Sequence, residues 1–569
     1  MAHRLPSGLA LGVLAAVAVA APWPFGAVQP AALLGLTATC LLAAACALAL
    51  GGWRGELDGP GLPLWPLVGL LSLGLAQLVP LPPALHSLVA PGSSAVWHPA
   101  SEAAAAVLGG GPRPVSLDPD TTLRSVAILA GLGLLGWLAA PAFARRGAAV
   151  AAAAAVAVGG FGLAAYAIFA RARFGKLLYG HFTVPTINPF GPFVSKNHFA
   201  GYVVMASLLC AGLAVGLVDR ERGRGRDWTA GPRAGAVVGA TVAAIAMALA
   251  VLASLSRGGG LALVAGGLAL LGLLVARDRG TRTQAGFLSA IVAATALGAL
   301  LLTLAPPETH ERMRSVGGTS FRLDTWRGAV LMAASSPVVG HGLGSFHDAY
   351  PRFKAAHGRI RVEHAENDYL EVLAEGGLVG TGLVIAGAGL LLLGGRNATA
   401  ADRTVRGIGL GATAGLVALA VHSAVDFNLR IPSNAALAAL LAAAAAGAAG
   451  TRPRSLSRAS ALLLAAGAVS LLVAVMVVPG RPATRARQEA ALVAEATTAP
   501  AQALRLERAE AMLVAVVRRR PAHAESWLML AGVRAARGER ASAAELARHA
   551  VSLDPRRAEL LEAAERLMR

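Results

Sequence analysis

Between Pro351 and Gly380 the chain sets Arg359, Arg361, Glu363, His364, Glu366, Asn367, Asp368 and Tyr369 close together, running into the apolar stretch LEVLAEGGLVG. Ionisable groups kept beside a bilayer are costly, and they usually serve chemistry or an ion path. The residue types suit proton transfer from a hydroxyl: a histidine titrating at about pH 6.5 takes a proton at neutral pH, and a carboxylate either orients it or does the same work. Four more constellations carry polar side chains at informative spacings. NPFGPFVSKNHFAGY, residues 188–202, places Lys196 and His198 at the start of a helix, and SLSRGGG, residues 254–260, places Arg257 at another. There the exposed backbone N–H groups already favour an anion. In FRLDTW, Arg322 precedes Trp326 by four residues, one helical turn, and GHGLGSF, residues 340–346, has the glycine spacing of a tight turn. The chain has no H-E-x-x-H, G-x-S-x-G or phosphate-loop glycine motif, so the metalloprotease and ATPase readings lack their machinery.

These residues must be positioned by membrane helices. Of 569 residues 56% are hydrophobic and 14% charged, and the mean hydropathy is +0.61. That much apolar surface cannot be hidden in one soluble core. Apolar runs predict roughly thirteen helices, near 8–22, 30–50, 62–80, 122–141, 148–170, 198–218, 235–254, 259–276, 285–305, 373–394, 407–424, 434–450 and 459–479. The expected fold is therefore an all-α polytopic bundle. The net charge of +19 comes from short arginine clusters between spans, with no continuous basic face and no interleaved aromatics, so nucleic acid is not an expected partner. Cys40, Cys46 and Cys210 lie in apolar runs without C-x-x-C spacing, which indicates neither a disulfide framework nor a thiolate metal site.

Threading the spans in order puts Arg4, Arg54, Arg145 and Arg146, Arg220 to Arg233, Arg277 to Arg282, Arg396 to Arg406 and Arg452 to Arg458 on one side. The positive-inside rule makes that side cytoplasmic. The amino terminus is then inside. The 81–121 loop, the 171–197 loop, the turn at 254–260, the 306–372 loop, the turn at 426–434 and the tail after Val478 are outside. Of the thirteen histidines, His181, His198, His310, His341, His347, His357, His364 and His422 lie in or beside those outer segments. The first apolar run is read as a retained helix, because a second span follows it at once.

Beyond residue 480 the composition shifts to Ala, Arg, Glu and Leu. Trp527, Leu530, Gly538, Ala543, Ala547, Ala550 and Pro555 follow the tetratricopeptide pattern, and Pro521 precedes Pro555 by one 34-residue period. About two repeats fit, fewer than a self-sufficient solenoid needs. The tail is thus expected to dock on the membrane domain or on a protein partner. The predicted organisation is a membrane domain over 1–480, with its catalytic loop at 306–372, and a helical-repeat domain over 481–569.

NPFGPFVSKNHFAGY, SLSRGGG, the Arg322–Trp326 pair, SSPVVGHGLGSF, HAENDYLEVLAEGGLVG and HSAVDFNLRIPSN, in this order, resemble the O-antigen ligase and polymerase superfamily over most of residues 120–450. The resemblance implies an inverting, metal-independent membrane glycosyltransferase with a GT-C-like bundle. Such an enzyme takes a glycan from undecaprenyl pyrophosphate outside the bacterial inner membrane, and it needs no cofactor. It implies that Arg257 and Arg322 hold the pyrophosphate and that His364 activates the acceptor hydroxyl, the acceptor being another glycan, a lipid A core or a protein. Lys196, His198, Asn367, Tyr369, Asp426 and Arg430 are the further candidate binding residues. Many relatives carry a histidine where this chain has Glu366, so either His364 or Glu366 is the base. Chemically, two guanidiniums suit a leaving pyrophosphate, which they bind bidentately while staying protonated.

Each residue has a plainer reading. Arg257 is a topogenic charge, Arg322 stacks on Trp326, His364 is a structural hydrogen-bonding group, Lys196 and His198 cap a helix, and Asp426 pairs with Arg430. Two other functions compete. A transporter would place its charges near the midplane on broken helices, often with an internal repeat, and none is evident. A non-catalytic assembly protein would not need so many spans.

Overall fold

The computed structural model describes residues 5–54, 58–59, 65–184, 188–225, 227, 229, 233–277, 317–356, 358–396, 399–449, 454–477 and 502–569. The chain is an all-α polytopic membrane protein. Nine of the described helices are long and apolar enough to cross a bilayer, and Leu5–Ala20, Trp65–Ala76 and Pro432–Ala448 are shorter apolar helices. Twelve of the thirteen expected spans coincide with a helix. The thirteenth, 285–305, lies outside the described residues. The span expected at 62–80 is confined to Trp65–Ala76, and that expected at 373–394 begins earlier, at Asp368. The described residues also include one two-residue antiparallel pairing, Asp58–Gly59 with Arg454–Ser455. The chain divides into two compact units, one of residues 1–67, 127–314 and 385–473, the other of residues 68–126, 315–384 and 474–569.

In the first unit the helix Lys196–Arg222 is buried along most of its length and packs on Ala234–Ala253, Arg257–Arg277 and Arg403–Ser423. Small residues allow that approach. Gly212 and Gly216 face Gly407 and Gly411, and a Cβ on Gly212 would come within 2.4 Å of the Gly407 carbonyl oxygen. Two glycines four residues apart on each helix bring the backbones together, as membrane helices require when lipid is as apolar as the side chains. At one end of these helices Arg220 pairs with Asp402 at 2.9 Å and Arg233 with Glu221 at 2.6 Å. The opposite end carries Lys196, the 254–257 turn and the residues from His422 to Asn434.

The second unit is built around a core that includes Trp97, Met332, Phe346, Tyr350, Ala374, Leu513, Trp527, Leu546 and Leu553. The long segments expected as loops therefore fold, with helices at Pro83–Val89, Pro91–Trp97, Glu102–Leu108, Gly317–Ser335 and Phe346–Ala349. The glycines of GHGLGSF do shape a turn: Gly340, Gly342 and Gly344 have φ of +70°, +111° and +81°, a region open to glycine. There the Gly342 N–H donates to the Glu375 carbonyl at 3.0 Å. Gly377, with φ of +62°, interrupts the helix Asp368–Arg396.

The tail forms helices Gln502–Arg519, Ala524–Ala536, Arg540–Leu553 and Ala558–Met568, and Gly538 closes the turn between the second and third at φ +83°. It docks on other segments of its own unit. The Arg520 guanidinium grips Asp348 through two bonds of 2.6 and 2.7 Å. Glu545 accepts from the Ala103 N–H at 3.0 Å, and Arg518 donates to the Val107 carbonyl at 2.7 Å. Burial pushes the Asp348 carboxyl up, but the Arg520 charge, the neighbouring His347 and the Arg520 hydrogen bonds together outweigh it and hold the group well below the usual carboxylate range.

Candidate functional site

The polar segment before helix Asp368–Arg396 is organised by that helix's first turns. Asn367 caps it: its Oδ1 accepts from the Tyr369 N–H at 3.0 Å and the Leu370 N–H at 3.1 Å. Glu366 precedes the cap in the left-handed region, at φ +54°, so the backbone reverses there. One turn into the helix, the buried carboxylate of Glu371 reaches back over the cap. It accepts from the Ala365 N–H at 2.8 Å and bonds His364 Nδ1 at 2.8 Å. His364 itself is about one-third exposed. This is a histidine–carboxylate dyad, in which the carboxylate fixes ring orientation and tautomer and raises the basicity of the other nitrogen.

Glu366 is not in that dyad. Its Oε2 lies 3.4 Å from Arg322 Nη2, on helix Gly317–Ser335, and both side chains are partly exposed. The contact links the 364–367 segment to that helix. An ion pair so placed contributes little to stability. Glu375, one turn beyond Glu371 and fully buried, accepts from the Phe346 N–H at 3.1 Å and so joins the glycine turn to the same helix.

In the first unit, Ser195 caps helix Lys196–Arg222 with its side chain, so the capping reading of Lys196 and His198 gives way to Ser195. Lys196 Nζ instead donates to the Leu255 carbonyl at 2.7 Å, and Leu255 has φ of +54°. Ser256 caps the next helix: its hydroxyl accepts from the Gly259 N–H at 3.1 Å and donates to Asn197 Oδ1 at 2.9 Å. Arg257 follows as the first helical residue and is exposed. Asp426 is set beside histidines rather than beside Arg430. His198 Nε2 lies 3.5 Å and His422 Nε2 3.8 Å from its carboxylate oxygens, and the Phe427 N–H donates to it at 2.8 Å. Asn434 ties this group together by donating to the His198 carbonyl and to Asn428, both at 3.0 Å.

The structure thus brings His364, Glu366, Asn367, Tyr369 and Arg322 together in one unit, and Lys196, His198, Arg257, Asp426 and Arg430 into one end of the other. Sequence reasoning missed Glu371, Asn197, Ser256 and the Asp348–Arg520 pair. Only Glu371 had a readable signal, an acidic residue four positions after a helix-capping asparagine. Among the described residues one cluster has metal-ligand types, Asp118, His347 and Asp348. Arg520 stands 3.6 Å from Asp118 and bonds Asp348, which makes the cluster an ion-pair node.

Fold and site together define a multi-pass, all-helical membrane protein whose polar groups collect at helix ends. Residues 242–385 match the family model described as O-antigen ligase, a match that supports the O-antigen ligase and polymerase superfamily. A comparison with curated proteins gave no match.

Proposed function

We propose that the protein is an inverting glycosyltransferase that moves a glycan from undecaprenyl pyrophosphate to an acceptor hydroxyl on the periplasmic side of the bacterial inner membrane. The observation that carries this reading is the Glu371–His364 hydrogen bond in a chain with an O-antigen ligase domain. With Nδ1 engaged by the carboxylate, Nε2 takes the acceptor proton. The acceptor oxygen bonds the anomeric carbon from the face opposite the leaving group, and the bond from that carbon to the pyrophosphate oxygen breaks. Undecaprenyl pyrophosphate departs with the electron pair. His364 is the base in this account and Glu366 holds Arg322, and the Glu371 hydrogen bond supports that choice between the two candidates.

Arg257 and Arg322 are each assigned to pyrophosphate oxygens, and the leaving-group charge they neutralise removes the need for a metal. At Arg257 the assignment gains from position. A cation at a helix start opposes the helix dipole and destabilises the helix, whereas a bound anion is attracted by both. Lys196, His198, Asn367, Tyr369, Asp426 and Arg430 are retained as binding residues. The Glu371 partnership also supports a role for His364 beyond that of a structural donor, since a partly exposed imidazole held by a buried carboxylate is an arrangement suited to a general base.

The bundle is read as GT-C-like, with a boundary near residue 480 to a tetratricopeptide-like periplasmic tail that offers a surface to a protein partner. The acceptor is another lipid-linked glycan, a lipid A core or a protein, for polysaccharide polymerisation or ligation. The reading is tested by a deletion strain. Single units retained without long chains indicate a polymerase, and free lipid-linked polymer indicates a ligase. An unchanged glycan profile contradicts both.

A further inference from the structure

Where the tail meets the segment 347–362, the second unit carries a small cleft of about 70 Å³, partly open to solvent. The lining carries both signs of charge: Lys354, Arg361 and Arg557 on one hand, Glu525 and Asp554 on the other. Several of these are already engaged, for Arg557 pairs with Glu525, and Lys354 donates to the carbonyls of Gly358 and Ile360. Asp554 is different. It is 7% exposed, and among the described residues its Oδ1 has no hydrogen-bond partner. Burial pushes its carboxyl up, against the pull of Lys354 and Arg557. A buried polar atom without a partner is expensive, and a ligand that bonds it removes the penalty.

The chemistry of the lining narrows the ligand. A simple anion would be repelled by Asp554 and Glu525, and a cation by the three basic side chains. A neutral hydroxyl both donates and accepts, so a polyhydroxylated ligand satisfies both kinds of group at once. Pro351, Ile360 and Ala522 supply apolar surface for the C–H face of a sugar ring. The cavity is also close to the reaction centre assigned above, because Arg361 precedes His364 by three residues, at most about 11 Å of extended chain.

We propose that this cavity is a saccharide subsite, holding a sugar of the acceptor glycan or of the donor's glycan chain near His364. This rests on the glycosyltransferase reading for its role but not for its binding chemistry. The test uses the full-length protein in lipid nanodiscs and, as probe, the oligosaccharide that mild acid releases from the host strain's lipid-linked pool. Calorimetry should show binding to the unaltered protein and to His364→Ala. Asp554→Asn and Arg361→Gln should each weaken it tenfold or more, and Arg361, being exposed, can be changed without threatening the fold.

The same variants in a transfer assay separate the two sources. A raised KM for the soluble acceptor glycan places the acceptor in the cavity, and a raised KM for the lipid-linked donor places the donor chain there. Wild-type affinity in both variants, or loss of binding in His364→Ala, overturns the subsite. If the unaltered protein transfers nothing while both cavity variants lose binding, the functional reading falls and the subsite stands. If transfer proceeds with binding and both KM values unchanged by the two variants, the subsite falls and the functional reading stands.

Discussion

At the scale of single residues the account turns on which group takes the acceptor proton. His364 is held at Nδ1 by buried Glu371, whereas Glu366 faces Arg322. His364→Ala should therefore lower turnover by about 10²–10⁴-fold with donor binding retained. Glu371→Gln should cost about 10–100-fold by loosening the imidazole, and Glu366→Gln less than His364→Ala. If Glu366→Gln is inactive and His364→Ala turns over well, the roles are reversed. Arg257→Lys and Arg322→Lys should each lose at least about tenfold in activity while the protein remains in the membrane, because lysine keeps the charge but not the planar fork. Near-normal product from both variants rejects their assignment to pyrophosphate.

The candidate groups were legible in the sequence because ionisable residues stand out in an apolar chain. Apart from Glu371, four positions after the capping Asn367, their partners were not. Ser256 and Asn197 read as ordinary polar residues near helix starts, and Asp348 meets Arg520 across 172 positions of chain.

Among the elements, the membrane helices were readable and the folded segments between them were not, for one physical reason. A span is specified locally, by about twenty apolar residues that satisfy their own backbone hydrogen bonds. The second unit is specified by tertiary burial. Helices such as Pro91–Trp97 and Glu102–Leu108 are too short to be stable alone and exist against the core that the tail completes.

That core has a consequence for pH. His341, His523 and His549 are buried, and burial is the main cause that lowers each from 6.5 to about 4. Between those values the unfolded chain binds protons that the folded unit does not, so stability falls as pH drops through about 6.5 to 4. Each histidine contributes on the order of 1–3 kcal/mol over that window. Thermal unfolding of the purified protein followed from pH 7.5 to 4.5 should show a declining midpoint. A flat or rising midpoint would mean that these side chains are not kept neutral by burial.

For the whole molecule, the proposed sidedness rests on the basic clusters. The Arg220–Asp402 and Arg233–Glu221 pairs gather at one end of the helix Lys196–Arg222 and its neighbours, and Lys196, Arg257 and Asp426 lie at the other. A reporter fused near Arg224 should register as cytoplasmic and one fused after Val478 as periplasmic. A tail fusion active only in the cytoplasm shows that the span count is wrong by one. In the proposed reaction sidedness matters because the lipid-linked donor and its acceptor must meet the same face as His364.

The most direct test of the central claim is transfer itself, by purified protein in lipid, from undecaprenyl-pyrophosphate-linked glycan to an acceptor glycan, in excess chelator. The account predicts a new glycosidic bond of inverted anomeric configuration, undiminished by the chelator and lost in His364→Ala. Retained configuration, strict dependence on a divalent ion, or undiminished transfer by His364→Ala would contradict it.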